Sequence, residues 1–193
     1  MGNGLKRQMA NRNYRRLFLI SCEGSVTEPM YFRRFNSSTI HVECLYENGK
    51  SSPAQVLSRL KSKADKTRLQ TGDQLWAVMD RDDWPAAELD KVAAWASEPS
   101  RIRRGFALSN PKFEYWLLLH FEDGAVHTTA RACVDALRVY LPTYDKHLDN
   151  SCITPEMIHL AITRAGDVTA PWPTEPGHTT VPKLVNELEG GVV

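Results

Sequence analysis

Short apolar runs alternate with helical patterns along the first part of the chain. The runs predict strands at 17–22, 39–46, 74–79 and 105–108. Apolar side chains recur at helical spacing between them, in 28–35, 53–64 and 86–97. Alternating strands and helices are typical of a parallel sheet flanked by helices. We therefore predict an α/β fold of the Rossmann-like type with a mostly parallel sheet.

The pattern changes after Asn110-Pro111, where helices predominate. Helices are predicted at 113–121 and near 128–140, 154–165 and 180–189, with a proline-rich loop at 171–177. These features divide the chain into a basic N-terminal arm (1–16), an α/β core (17–125) and a C-terminal helical extension packed on the core (126–193).

Composition narrows the class of protein without naming a function. The 193 residues are 42% hydrophobic and 24% charged, which is ordinary for a soluble globular protein. Four scattered cysteines without a Cys-x-x-Cys pair indicate reduced thiols and a cytoplasmic location. No apolar run reaches the roughly 20 residues that would span a membrane. A phosphate-binding Gly-x-x-x-x-Gly-Lys-Ser/Thr loop is absent, so ATP hydrolysis by this chain is not expected.

The net charge is only +1, but the cations are unevenly distributed. One basic group precedes the first acid and comprises Lys6, Arg7, Arg12, Arg15 and Arg16. A second lies on a predicted helix and comprises Arg59, Lys61, Lys63, Lys66 and Arg68. Such surfaces suit a nucleic acid, with Arg15, Arg16, Lys61 and Lys63 as the candidate contacts. A solvated tail and a solvated helix face are the simpler alternative.

Acidic side chains follow two of the predicted strands. Glu23-Gly24 comes directly after the first strand, and Asp80 and Asp82 come after the third. Because parallel strands end at the same edge of a sheet, these carboxylates are expected to share one crevice. If the backbone stays extended, Asp80 and Asp82 point the same way and could face one Mg²⁺ ion. A turn that merely caps the next helix would show the same acidic residues in the sequence.

Glu-Gly after one strand and Asp-x-Asp after a later one resembles the Toprim pattern. Longer motifs resemble those of the RloB-like family, in the correct order along residues 17–188. They are Cys22–Phe32, Asp80–Asp83, Ser109–Phe121 and Thr179–Val185. One departure is Lys112, where the family pattern leads us to expect a small or uncharged residue.

The resemblance implies a Toprim-like, metal-dependent nuclease that acts in prokaryotic defence against phage by abortive infection. Glu23, Asp80 and Asp82 would hold Mg²⁺ or Mn²⁺, and Glu23 could instead transfer protons. Lys146 matches a lysine of the family and could neutralise charge on a phosphate, although a surface lysine is the simpler reading. DNA and RNA, including transfer RNA, remain open as substrates. An ATPase partner is implied, membrane attachment is not, and a homo-oligomer is left open.

Several other residues admit two interpretations. Glu114 sits in an apolar helix and would need a partner, either a metal or an arginine. Thr27 is predicted to cap a helix, and Glu28 could add a metal ligand or favour the helix dipole. Asn110 suits an Asx turn, and His120 a packed core position.

Two tryptophans in loops, Trp84 and Trp172, could stack on bases or merely close their loops. The function itself also has alternatives. One is a non-catalytic sensor or assembly subunit with a vestigial metal site. Another is a nucleotidyl or phosphoryl transferase that uses the same acids.

Overall fold

The computed structural model describes residues 14–49, 51–124 and 126–190. Its strands are β1 (Arg16–Cys22), β2 (Ile40–Leu45), β3 (Gln74–Asp80), β4 (Arg103–Asn110) and β5 (His178–Thr179). Its helices are α1 (Thr27–Arg33), α2 (Pro53–Asp65), α3 (Ala86–Ser97), α4 (Phe113–Leu118), α5 (Ala130–Tyr140), α6 (Pro155–Ala165) and α7 (Val181–Leu188), with one 3₁₀ turn at Asn150–Cys152. The strand order is β2-β1-β3-β4-β5. Strands β1 to β4 are parallel and β5 is antiparallel to β4.

The predicted α/β class, with a mostly parallel sheet and a C-terminal helical part, is confirmed. The central strands β1 and β3 are buried along most of their length, which explains their unbroken apolar sequence. The edge strand β2 alternates buried and half-buried positions, as its alternating sequence predicts. Helix α2 begins where Ser52 and Gln55 form a capping box, followed by Pro53 in the first turn.

Two apolar clusters cover the two faces of the sheet. One is formed mainly by α2 and α3 with β3 and β4 residues such as Leu75 and Phe106. The other contains α1 and reaches into the C-terminal helices through Leu137, Ile158 and Leu184. The C-terminal helices therefore share a continuous core with the α/β part. No helix in the described ranges has both the length and the apolar character to cross a bilayer.

The sequence missed strand β5 and overestimated one helix. Strand β5 is only two residues long and pairs with the end of β4, where the Ser109 and Thr179 hydroxyls lie 2.9 Å apart. The helix predicted at 113–121 ends at Leu118. Strand β4 is longer than the predicted 105–108, because polar residues at both of its ends also pair with β3.

Gly105 in β4 lies directly opposite Trp76 in β3, and a Cβ atom on Gly105 would overlap the indole ring. We therefore expect Gly105→Ala to lower the free energy of unfolding by about 1–3 kcal/mol, the usual cost of overpacking a core. Chemical denaturation measures the loss. In a Trp76→Leu background the same substitution should cost much less, and equal losses in both backgrounds would rule out this contact as the cause.

Candidate active site at the carboxyl edge of the sheet

The acidic residues lie at a reversal in the strand order. The chain leaves β1 for β2 on one side and later returns to β3 on the other side. Such a reversal opens a crevice beyond the carboxyl ends of the two central strands, where ligands bind in open α/β sheets. Glu23 directly follows β1, and Asp80 is the last residue of β3. One carboxylate oxygen of Glu23 accepts a hydrogen bond from the Asp80 backbone N–H at 3.0 Å, so these two residues meet as expected.

The crevice has a volume of about 290 Å³ and is strongly acidic. Its acidic lining among the described residues comprises Glu23, Glu28, Glu47, Asp80, Asp82 and Glu114. The basic lining comprises Lys112 and Lys146. All five residues that the sequence singled out for catalysis therefore lie around one cavity.

Glu23 is held by its backbone and by both side-chain oxygens. Its N–H donates to the Val78 carbonyl at 3.0 Å, which fixes the turn after β1 against β3. The carboxylate oxygen not bonded to Asp80 accepts from the Trp84 indole N–H at 3.4 Å. Burial raises the pKa of Glu23 to about 7, and the Asp82 charge adds to the rise, while the hydrogen bond from Asp80 opposes it. Glu23 can therefore exchange a proton near neutral pH.

Asp80 connects the sheet to helix α4. Its Oδ1 accepts a hydrogen bond from the Phe113 backbone N–H at 2.8 Å. Burial raises the pKa of Asp80 well above its usual range, and the charges of Glu28 and Glu23 raise it further. Asp80 is thus a partly buried acid that lies among like charges.

Asp82 reaches the crevice by a route that the sequence did not predict. The expected extended backbone is wrong, because residues 82–83 form a turn in which Asp82 has a φ of 33°. Asp82 nevertheless lines the crevice, and its Oδ1 lies 3.8 Å from the Lys112 ammonium group. Lys112 therefore partly neutralises one of the acids.

Glu28 contributes more to the crevice than the sequence indicated. Its side chain is only 6% exposed, and its Oε1 accepts a hydrogen bond from the Gly24 N–H at 2.8 Å. A Cβ atom on Gly24 would overlap this carboxylate, which explains why a glycine follows Glu23. Burial raises the pKa of Glu28, and the charge of Glu114 adds to that rise.

The loop after α5 closes one side of the crevice. Thr27 donates its hydroxyl to the Lys146 carbonyl at 2.7 Å and does not cap α1, so the predicted cap is wrong. The Tyr144 hydroxyl donates to Glu114 at 3.1 Å and lies 3.3 Å from the Thr27 hydroxyl. Glu114 is half-buried, and this hydroxyl is a partner of its carboxylate that the sequence did not predict. The C-terminal part thereby contributes Lys146 to the site.

The donor chemistry of the crevice suits a hard cation. Oxygen atoms of carboxylates are the ligands that Mg²⁺ and Mn²⁺ prefer, and Asp80 lies within electrostatic reach of four other carboxylates. Across residues 14–49, 51–124 and 126–190, however, no three acidic, His or Cys side chains are already drawn together as a metal cluster. The residues thus fit such a cation by chemistry, and its coordination stays a prediction.

The basic residues predicted to contact nucleic acid do not form one surface. Arg15 and Arg16 lie at the start of β1, roughly 20 Å from the crevice at about 3.3 Å per strand residue. Lys63 is paired with Glu43 at 2.5 Å, while Lys61 lines a separate groove between α2 and α3. Lys6, Arg7 and Arg12 lie outside the described residues. The role of Arg15, Arg16, Lys61 and Lys63 in binding stays a prediction, but a single path past the crevice through these four residues does not fit their arrangement.

The remaining candidates have structural roles. The His120 ring lies 3.0 Å from the Tyr31 hydroxyl and bonds to backbone carbonyls of its own helical segment, which confirms a packed histidine. Asn110 does not form the expected Asx turn, since its side-chain amide donates to the Pro173 and Thr174 carbonyls. This contact fastens the proline-rich loop to β4.

The two loop tryptophans also close their loops. Trp172 is buried and donates to Asp90 at 2.9 Å, so it is not available to stack on a base. Trp84 is half-buried and its N–H points at Glu23. Trp84 therefore orients an acid of the crevice.

Fold and site together define an α/β protein with an acidic crevice at the reversal of its strand order. The family model of the RloB-like proteins matches residues 18–188, and the chain belongs to this family. Neither a curated protein nor a solved structure gives a significant match.

Proposed function

We propose that the chain is a Toprim-like nuclease that hydrolyses phosphodiester bonds of DNA or RNA with the help of Mg²⁺ or Mn²⁺. The observation that carries this proposal is the meeting of Glu23 and Asp80 at the strand-order reversal, surrounded by further carboxylates. So many acids in one small cavity are expected to repel each other without a cation.

The residues of the crevice have distinct roles in this proposal. Glu23, Asp80 and Asp82 would hold the cation. Alternatively, Glu23 would accept a proton from the attacking water, a role that suits its raised pKa of about 7 in the metal-free site. Lys146 and Lys112 offer positive charge to the phosphate. A divalent ion, when bound, would activate water and stabilise the leaving oxygen.

The biological setting follows from the family resemblance. We propose that the protein is a cytoplasmic effector of prokaryotic anti-phage defence, acts in abortive infection and is controlled by an ATPase partner. Transfer RNA is one substrate in the range proposed. Co-expression with a candidate ATPase, followed by purification of the complex, tests the partnership.

A non-catalytic sensor or assembly subunit is the second candidate. Both oxygens of Glu23 already accept hydrogen bonds, from Asp80 and Trp84, so this side chain also has a structural task. The deciding experiment incubates the purified protein with labelled single-stranded and duplex DNA and RNA in Mg²⁺, Mn²⁺ or EDTA. Cleavage that requires the divalent ion supports the nuclease. Substrate that stays intact even when the ATPase partner is present favours the assembly subunit.

A further inference from the structure

A second, larger groove borders the acidic crevice. It has a volume of about 640 Å³ and lies between the end of α1, the end of β2 and the outer side of α2. Glu47 lines both cavities, so the groove and the crevice are adjacent.

The groove has the opposite charge to the crevice. Its basic lining comprises Arg33, Arg59, Lys63 and Lys66, and Glu47 is the acid in its described lining. Two of these cations are committed: Arg59 donates to the Cys22 carbonyl at 2.7 Å, and Lys63 pairs with Glu43. Arg33 and Lys66 are exposed and form no ion pair within the described residues, and the Arg33 guanidinium is hydrogen-bonded only to the neutral Tyr46 side chain. Their charge is available to an anionic ligand.

An exposed aromatic ring stands among these cations. Tyr46, directly after β2, is 41% exposed, and the Arg33 guanidinium lies 5.8 Å from the centre of its ring. An exposed ring flanked by cations is the arrangement by which proteins bind single strands, because the ring stacks on a base and the cations contact phosphates. An acidic protein segment would use the cations but has no base to place on the ring.

We propose that this groove binds the nucleic-acid strand on one side of the bond to be cleaved, with an unpaired base on Tyr46 and phosphates beside Arg33 and Lys66. The proposal rests on the proposed nuclease function, since it takes the crevice as the place of the scissile phosphate. It assigns the binding path to residues other than Arg15, Arg16 and Lys61. It also predicts that the strand is unpaired where it leaves the crevice.

The test measures binding in EDTA, where cleavage does not interfere, by fluorescence anisotropy of a labelled single strand and of its duplex. Arg33→Glu and Lys66→Glu should each weaken single-strand binding and lower the salt slope of log affinity by about 0.7. Tyr46→Ala should weaken single-strand binding roughly 5- to 100-fold by loss of stacking, with little effect on the duplex. Tyr46→Phe keeps the ring and should retain wild-type affinity.

Lys91→Glu is the matched control, because Lys91 lies on α3 and lines the groove between α2 and α3 but not the groove beside Tyr46. Equal weakening by Lys91→Glu and Lys66→Glu would show that only net charge matters and would overturn the proposal. Wild-type affinity in Arg33→Glu and Lys66→Glu, with loss of a co-purifying protein partner, would make the groove an assembly surface. If the wild type cleaves but the groove variants bind normally, only the groove proposal fails. If the wild type binds through the groove but never cleaves, the nuclease function fails and the groove remains a binding site for single strands.

Discussion

Glu23→Gln and Asp80→Asn are each expected to lower metal-dependent cleavage by at least about 100-fold, the lower end of what a general acid or base contributes. Both substitutions keep the shape of the side chain and remove its charge. Each amide oxygen can still accept the backbone hydrogen bond, from Asp80 N–H or from Phe113 N–H. The loss should therefore appear in initial cleavage rates, while the circular dichroism spectrum stays unchanged.

Asp83→Asn provides the matched control for these variants. Asp83 lies in the same turn as Asp82 but is exposed and does not line the crevice. Its variant should cleave at the wild-type rate. Equal loss in all three variants would point to the charge of the turn as a whole, and full activity in the Glu23 and Asp80 variants would refute the proposed site.

The stability of the metal-free protein is expected to depend on pH through Glu23. Its pKa is about 7 in the folded state, above the value of about 4.3 in an unfolded chain. Between these values the folded state binds more protons, so this contribution to stability is present below about pH 4.3 and is lost as the pH rises through 7. Since the crevice is open to water, we expect the loss to be about 1–3 kcal/mol.

Denaturant titrations in EDTA at pH 4 and pH 8 measure the free energy of unfolding of the wild type and of Glu23→Gln. The difference between the two proteins gives the contribution of the Glu23 charge. At pH 8 the variant should be more stable than the wild type. At pH 4 this advantage should be smaller or absent. The buried His120, whose pKa burial lowers to about 4, titrates in both proteins and cancels in the difference. Adding Mg²⁺ should reduce the advantage of the variant at pH 8. A difference that does not change with pH would show that the charge of Glu23 carries no penalty.

The sequence was sufficient for the features that local pattern and sheet topology control. The unbroken apolar runs before Glu23 and Asp80 exist because β1 and β3 are covered on both faces. Once the strands are parallel, their carboxyl ends must meet at one edge, so the convergence of these two acids follows.

The rest depends on contacts between distant parts of the chain. Thr27 has the sequence context of a helix cap, but its hydroxyl is used by Lys146, more than a hundred residues away. Asp82 lies in a turn, and the Asp-x-Asp spacing does not predict the conformation of that turn. Glu28 resembles an ordinary acid in the first turn of a helix, and only its bond to Gly24 indicates a role in the crevice. Strand β5 is too short for a periodic pattern.

The contribution of Lys146 from the loop after α5 has a consequence for the synthesis of the protein. A ribosome that has completed only the α/β part has already made Glu23, Asp80 and Asp82, but neither Tyr144 nor Lys146. At about 5–20 residues per second the nascent chain passes through this incomplete stage before the loop can dock on Thr27. A half-made chain therefore lacks this side of the crevice lining until residues 144–146 have been added.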